Sequence, residues 1–295
     1  MSGVDTTEPA RGQMLFRAHA LCFAMAALFV EVLYLAPKEI GDLERNDRRQ
    51  ILWRFKALCL VSLICPICVS YVILGTRTLG ETLWALGLNP TSPVETIFLP
   101  TAVSASLFLG PLMEMVLEAY QEHSIVRLKW KRGGWYAVFV EPMLQSAGDL
   151  VNIRAYIFAP IVEEWVFRCC MVSALLEVGI TTRQAVYTAP LYFGMAHLHH
   201  QYHQVTRCGI PIQTAVINGL VQFAYTTLFG MYEVFVFCRT RNFYSLALQH
   251  SFCNYMGLPQ PTWIGKHDQL HSYRILLGLS YFGGIILFYF SVAHI

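Results

Sequence analysis

The sequence predicts an all-α protein, a polytopic transmembrane helical bundle. Hydrophobic residues make up 55% of the 295 residues and charged residues only 14%, whereas a soluble domain carries about 25% charged residues. Apolar segments of about 20 residues are long enough to cross a bilayer as helices. We count about eight such segments, of which the fourth, fifth and seventh also carry polar residues. They are Met14–Leu35, Ala57–Leu74, Ile97–Leu117, Leu150–Glu177, Gln184–His199, Thr214–Cys238, Phe243–Leu258 and Arg274–Ala293.

Composition divides the chain into three parts. Residues 1–13 are polar, and we expect them to be disordered; residues 14–149 hold N-terminal transmembrane helices and charged loops. Residues 150–295 form a transmembrane core, which the motifs described below predict to be catalytic. The first apolar segment is longer than that of a signal peptide and has no evident cleavage site, so we expect it to be retained. The net charge of +2 and the lack of a nucleic-acid motif predict no nucleic-acid partner.

Two charged loops predict the orientation in the membrane. Pro37–Lys56 carries six basic and four acidic residues, and Glu118–Gly134 has four basic residues towards its end. Basic loops favour the cytosolic side of a membrane, which would place the short N-terminus in the lumen. Arg239 and Arg241 would then be lumenal, against the same rule.

Three charges interrupt the apolar run from Tyr156 to Leu176 within the fourth segment: Glu163, Glu164 and Arg168. Ionisable groups at membrane depth are costly, rare and usually functional. Glu164 and Arg168 are four residues apart on one helical face, with the acid on the N-terminal side, which favours an ion pair. Glu163 points about 100° away from that face. We therefore predict a supporting Glu164–Arg168 pair and a working Glu163 carboxylate; a buried charge network that only holds helices together is the alternative.

A second polar position follows in the segment Phe193-Gly194-Met195-Ala196-His197. Phe193 and His197 are four residues apart, so the aromatic ring is expected beside the imidazole. The small residues Gly194 and Ala196 leave room for a neighbouring helix to approach closely. A histidine that merely satisfies the core is the alternative to a functional one.

The histidines that follow carry no predicted role. His199, His200 and His203 are expected to leave the membrane into the loop before Pro211. His199 and His203 have the spacing of a metal-binding pair, but the sequence shows no third ligand. Earlier in the chain, the helix that follows the glutamate segment and carries His197 is expected to begin with Thr182 as its N-cap.

A third polar position is His250-Ser251-Phe252-Cys253-Asn254. His250 and Asn254 share a helical face, so both could donate hydrogen bonds to one oxygen, as in an oxyanion site. Hydrogen bonds between helices are the structural alternative. Cys253 turns away from that face, which disfavours it as a nucleophile.

The three positions together predict an intramembrane polar catalytic cavity. A carboxylate, an imidazole and a donor pair are the groups that water-mediated acyl hydrolysis needs, and desolvation would raise the pKa of Glu163 towards that of a base at neutral pH. The chain has no G-x-S-x-G motif, no serine beside a base and no H-E-x-x-H zinc motif.

The order of these motifs resembles the CAAX protease and bacteriocin-processing superfamily, and within it the Ras-converting CAAX endopeptidases (type II CAAX prenyl proteases). The similarity is dense from Ala159 to Pro259. It covers APIVEEWVFR, FGMAHLHH, FAYTTLFGMY and HSFCNYMG. We see no departure within these motifs. Outside them, the chain stops soon after its last apolar segment, so we expect no cytosolic tail.

The resemblance implies an activity, a location and residue roles. Such enzymes cleave the last three residues from farnesylated or geranylgeranylated CAAX proteins, such as Ras/Rho-type GTPases. They lie in the endoplasmic reticulum membrane with the active site open to the cytosol, and use no cofactor or metal. By this resemblance the catalytic residues would be Glu163 and His197, which activate water, and His250 and Asn254, which stabilise the oxyanion. Glu164, Arg168 and Phe193 would support them.

Two other functions are compatible with the same residues. One is a metal-dependent membrane hydrolase with Glu163, His197 and His250 as ligands, which a chelator would inhibit. The other is a non-proteolytic membrane scaffold or chaperone, in which the buried charges are structural. Full function of a folded Glu163→Ala variant would favour the scaffold.

Overall fold

The computed structural model describes residues 8–75, 78–89, 93–121, 125–146 and 148–295, and within these ranges every regular element is helical. This confirms the all-α prediction. The α-helices are α1 (Glu8–Glu31), α2 (Lys38–Gly41), α3 (Arg48–Val69), α4 (Leu79–Ala85), α5 (Val94–Ser106), α6 (Leu109–Tyr120), α7 (Ile125–Trp135), α8 (Glu141–Ser146), α9 (Leu150–Ile153), α10 (Ala159–Glu164), α11 (Met171–Glu177), α12 (Thr182–His197), α13 (His199–Cys208), α14 (Ile212–Thr240), α15 (Phe243–Met256) and α16 (Arg274–Ser291).

In the described residues, short segments of other helix types adjoin these α-helices, except for Thr262–Ile264, which stands alone. Four are π-helical: Ser70–Leu74, Tyr136–Val140, Arg154–Phe158 and Trp165–Cys170. Four are 3-10 turns: Val32–Tyr34, Thr262–Ile264, His271–Tyr273 and Val292–His294. Helix α7 is broken at Gly133 and Gly134, and the positive φ of Gly134 (58°) is a conformation that glycine adopts readily.

Four helical stretches in the described residues are long and apolar enough to cross a membrane. They are Glu8–Tyr34, Arg48–Leu74, Ile212–Thr240 and His271–His294. Helices α5 and α6 together would form a fifth, although they meet at an angle of 69°. The structure thus supports a multi-pass membrane protein with four or five such stretches, and the predicted count of eight is not confirmed.

The chain forms two compact units, of which the first comprises residues 1–92 and 161–246. In this unit α12 packs along α14 and also against α1, while α13 packs against α14. The core is aromatic where α1 and α12 meet the Trp165–Cys170 segment: the ring of Phe167 lies 5.2 Å from Phe29 and 5.1 Å from Phe193.

The second unit comprises residues 93–160 and 247–295, in which α16 packs against both α5 and α6. The hydroxyl of Tyr281 donates a 2.7 Å hydrogen bond to Glu114. Trp263, Leu270 and Leu277 form a buried cluster beside this contact. The predicted division of the chain at residue 150 is not tested by this arrangement and stays a prediction.

Three local predictions differ from the structure. Helix α1 begins at Glu8, so residues 8–13 are helical rather than disordered. The negative charge of Glu8 in the first turn stabilises the helix by its favourable interaction with the helix dipole. Thr181, not Thr182, caps α12, because its hydroxyl accepts from Gln184 N while the Gln184 side chain accepts from Thr181 N. Residues 199–208 form a helix rather than a loop. Residues 1–7 and 122–124, from the predicted N-terminus and second charged loop, lie outside the described residues.

Candidate active site

The segment that carries the two glutamates begins at Leu150, as predicted. The side chain of Asp149 accepts a 3.0 Å hydrogen bond from Val151 N and caps the first turn. Pro160 has no N–H to offer the carbonyl four residues earlier, and the π-helical segment Arg154–Phe158 precedes it. A second π-helical segment, Trp165–Cys170, follows Glu164. The glutamates therefore lie between two widened turns, a feature that is frequent at functional sites.

Glu164 and Arg168 form the predicted ion pair. Arg168 Nη1 donates to Glu164 Oε1 at 3.0 Å, and the two side chains are only 1% and 0% exposed. The guanidinium carbon of Arg168 also lies 4.0 Å from the centre of the Phe193 ring, which gives the cation a second favourable contact. The pair thus fixes the segment of the glutamates against α12.

Glu163 has a different environment from its neighbour, since it is only half-buried. Its charge acts on Arg45, a residue of the first charged loop. Desolvation of the Arg45 guanidinium lowers its pKa, and the negative charge of Glu163 raises it. Sequence reasoning missed this neighbour, because no periodicity links a loop residue to a helix so distant in the chain.

His197 is placed at the C-terminal end of α12, where Phe193 holds it on two sides. The two rings lie 4.4 Å apart with an edge-to-face angle of 70°. His197 Nδ1 lies 2.8 Å from the carbonyl oxygen of Phe193, and because a carbonyl only accepts, Nδ1 carries the proton. The neutral imidazole therefore has its lone pair on Nε2, the form that accepts a proton.

Three more histidines follow His197 on α13. The ring of His200 lies 5.8 Å from His197 and 4.0 Å from His199. Desolvation is the main cause that lowers the pKa of His200, to about 2, and the pKa values of His199 and His203 are lowered for the same reason. His200 is therefore neutral at physiological pH and adds no charge beside His197.

The two predicted oxyanion donors belong to the second unit. His250 is 4% exposed, and Asn254 is exposed. Asn254 Nδ2 donates a 3.0 Å hydrogen bond to the carbonyl of Ala155, which orients its amide and leaves one further N–H. The ring of Tyr255 packs edge-to-face on Tyr156 at 5.7 Å, next to that bond. Their joint action with Glu163 and His197 stays a prediction.

No group of three or more His, Cys, Asp or Glu side chains is placed to hold a metal ion in the part of the chain that the structure describes. The structure brings together Glu164, Arg168, Phe193 and His197 in the first unit, with Glu163 one residue from the ion pair.

Comparison with known proteins identifies the family. A family model described as Type II CAAX prenyl endopeptidase Rce1-like matches residues 148–256, which include all the predicted site residues but not Arg45. A Schizosaccharomyces pombe protein named probable CAAX prenyl protease 2 is 30% identical over 93% of this chain and 92% of its own length. The chain belongs to the CAAX prenyl protease 2 family. The human CAAX prenyl protease 2 is also 30% identical, over 88% of this chain and 77% of that protein.

The similarity to CAAX prenyl protease 2 proteins extends well beyond the motifs. The Arabidopsis thaliana member is 26% identical over 92% of this chain and 86% of its own length. The N-terminal half, with the charged loop that carries Arg45, is therefore covered by these relatives as well. No solved structure matches the chain.

Proposed function

We propose that the protein is an intramembrane endopeptidase that removes the C-terminal three residues from CAAX proteins whose cysteine is farnesylated or geranylgeranylated. Ras/Rho-type GTPases are the proposed substrates, and the cytosolic face of the endoplasmic reticulum membrane is the proposed location. The observation that carries this proposal is a half-buried Glu163 beside a fully buried Glu164–Arg168 pair, in a chain of the CAAX prenyl protease 2 family.

In the proposed reaction Glu163 takes a proton from a water molecule. The water oxygen attacks the carbonyl carbon of the bond that follows the prenylated cysteine, and the proton passes to the leaving amine as that bond breaks. The lone pair on His197 Nε2 is suited to hold the same water, because Nδ1 is already engaged by the carbonyl of Phe193. His250 and Asn254 are the proposed donors to the tetrahedral oxyanion.

The Glu164–Arg168 pair is a positioning element in this proposal. It neutralises the charge nearest to Glu163 along the helix, so that two adjacent carboxylates do not repel each other. Burial of the pair also keeps Arg168 away from water.

A membrane setting suits the proposed substrate. The prenyl chain partitions into lipid, so only the short peptide tail must enter a polar site. The anchor thereby supplies both binding and orientation before the reaction begins.

The deciding experiment is cleavage of a farnesylated CAAX peptide by the purified protein in detergent. Wild type is compared with Glu163→Gln, which keeps the shape but removes the base, and with Glu31→Gln, which removes an exposed carboxylate on α1. Each is assayed with and without a zinc chelator. We expect tripeptide release by wild type and Glu31→Gln, and a loss of at least a hundredfold in Glu163→Gln.

Two results would contradict this mechanism. Inhibition by the chelator with rescue by zinc would favour the metal-dependent hydrolase. No cleavage by folded wild-type protein would favour a scaffold, whose charged pair serves stability alone.

A further inference from the structure

A cavity of about 770 Å³ lies in the first unit, between the charged loop that follows α1 and helix α13. Four basic and two acidic residues line it, together with tyrosine and leucine side chains. None of the residues assigned to the reaction lines this cavity, so its polar wall has no role in the mechanism above.

Two side chains of α3 give the cavity a buried polar wall. Gln50 and Arg54 are four residues apart and share a helical face. Gln50 is 4% exposed, and its Oε1 receives no hydrogen bond; Arg54 Nε is also buried without an acceptor. An acceptor and a donor that are buried without partners are costly, and a ligand that supplies both partners would recover that cost.

The charges around this wall favour an anion. The guanidinium groups of Arg45 and Arg54 are close enough to repel each other. Of the two acids, Asp42 is already paired with Arg207 at 3.3 Å, and Glu44 is exposed. The positive charge near Arg54 is therefore not cancelled by the acids of the lining.

The cavity borders the candidate active site. Arg45 lines the cavity and interacts electrostatically with Glu163. Tyr34, another lining residue, packs edge-to-face on His199 with ring centres 6.2 Å apart. The His199 ring in turn lies beside His200, whose ring lies beside His197. A peptide that enters the cavity can thus remain within reach of the reacting residues.

We propose that this cavity binds the free C-terminal carboxylate of the substrate, with Arg54 as its cationic partner and Gln50 Oε1 as the acceptor of a backbone N–H of the tail. This proposal rests on the proposed function. Three extended residues span about 10 Å, so a carboxylate held at a fixed distance from Glu163 would select the bond three residues from the end. The cavity would therefore determine which bond is cleaved.

The test compares two farnesylated CAAX peptides that differ only in a C-terminal carboxylate or carboxamide. We expect wild type to cleave the carboxylate form with a kcat/KM at least tenfold higher, mainly through KM, because the lost contact contributes to ground-state and transition-state binding alike. Arg54→Gln should reduce this preference to about twofold or less. The matched control is Arg49→Gln, which removes an exposed arginine from the same helix without lining the cavity.

Gln50→Glu provides a second variant that keeps the helix surface nearly isosteric. The carboxylate that this substitution introduces would pair with Arg54, which lies four residues later on α3. The variant should therefore fold but lose the preference for the carboxylate peptide. The inference alone fails if wild type cleaves both peptides equally, or if folded Arg54→Gln and Gln50→Glu variants keep the wild-type preference. Failure of wild type to cleave either peptide would overturn the proposed function and this inference together.

Discussion

At the scale of single residues, the central feature is an ion pair that is almost completely removed from water. Arg168 is held from three directions: by Glu164 Oε1 at 3.0 Å, by the face of Phe193 at 4.0 Å, and by close approach of α14 at Gly230. A Cβ atom at Gly230 would lie 3.3 Å from Arg168 Nη2, so glycine leaves the room that the guanidinium needs. The geometry compensates two charges whose isolated burial would be prohibitive.

Removal of one partner is therefore expected to be costly. Glu164→Ala leaves Arg168 buried without its counter-charge, and we expect a loss of about 3–5 kcal/mol in the free energy of unfolding together with a partial loss of activity. Thermal unfolding in detergent and the peptide assay measure the two effects. A double variant, Glu164→Leu with Arg168→Met, should recover much of the stability but not the activity. Unchanged thermal stability of Glu164→Ala would contradict the pair.

At the scale of helices, α12 and α14 approach closely because a glycine of α12, Gly194, lies against side chains of α14. A Cβ atom at Gly194 would lie 2.5 Å from Thr227 Oγ1 and 2.9 Å from the ring of Phe223, both on α14. Since Gly194 immediately follows Phe193, this contact also sets the position of the aromatic ring beside Arg168 and His197.

We expect Gly194→Ala to destabilise the protein by about 1–3 kcal/mol, because the added methyl group must push α14 away. The control is Gly283→Ala on α16, where a Cβ would meet no atom within 4 Å. That change should be neutral or stabilising by up to about 1 kcal/mol, through helix propensity. Thermal unfolding of both variants in detergent distinguishes close packing from a general intolerance of alanine; equal melting temperatures would contradict the close approach.

We expect the histidines of helix α13 to make the stability of the protein depend on pH. Desolvation is the main cause that lowers the pKa of His200 to about 2, with added repulsion from His199, Arg45, His197 and Arg54. Because the folded pKa lies below the unfolded value of about 6.5, protons bind preferentially to the unfolded state. The stabilising effect of a neutral His200 is present above pH 6.5 and is lost as the pH falls below it.

The expected outcome is a lower melting temperature at pH 5.5 than at pH 7.5, and a smaller difference in His200→Gln. His267→Gln, which removes an exposed histidine from the second unit, is the matched control and should keep the wild-type difference. An unchanged difference in His200→Gln would show that other groups cause the acid sensitivity.

At the scale of the whole molecule, the sequence predicted the features that local spacing determines. Hydropathy indicated a helical membrane protein, and four-residue spacing indicated the Glu164–Arg168 pair and the contact of Phe193 with His197. Each of these depends on helical geometry within one or two turns. The order of three motifs also indicated the family to which the chain belongs.

Features that join distant parts of the chain could not be predicted in this way. Arg45 lies in a loop whose charges indicated only an orientation, and nothing in its spacing connects it to Glu163. The cavity is formed by residues 33–54 and 202–208, which meet only in the folded chain. The sequence predicts a loop before Pro211 for His199, His200 and His203, whereas the structure has helix α13 there, packed against α14.

The orientation of the whole chain leads to a last prediction. Arg207 at the end of α13 bonds to Asp42 of the charged loop, so Cys208 and that loop lie on the same side of the first unit. Cys59 and Cys208 are the two exposed cysteines, but Cys59 lies within a candidate membrane-spanning stretch. If the charged loop is cytosolic, a membrane-impermeant thiol reagent added to sealed microsomes should label Cys208 without permeabilisation and leave Cys59 unlabelled, because lipid covers it. The control variant Cys208→Ala should abolish the labelling. Labelling of Cys208 only after permeabilisation would place the loop and the proposed carboxylate cavity on the lumenal side, where prenylated tails of cytosolic proteins cannot enter.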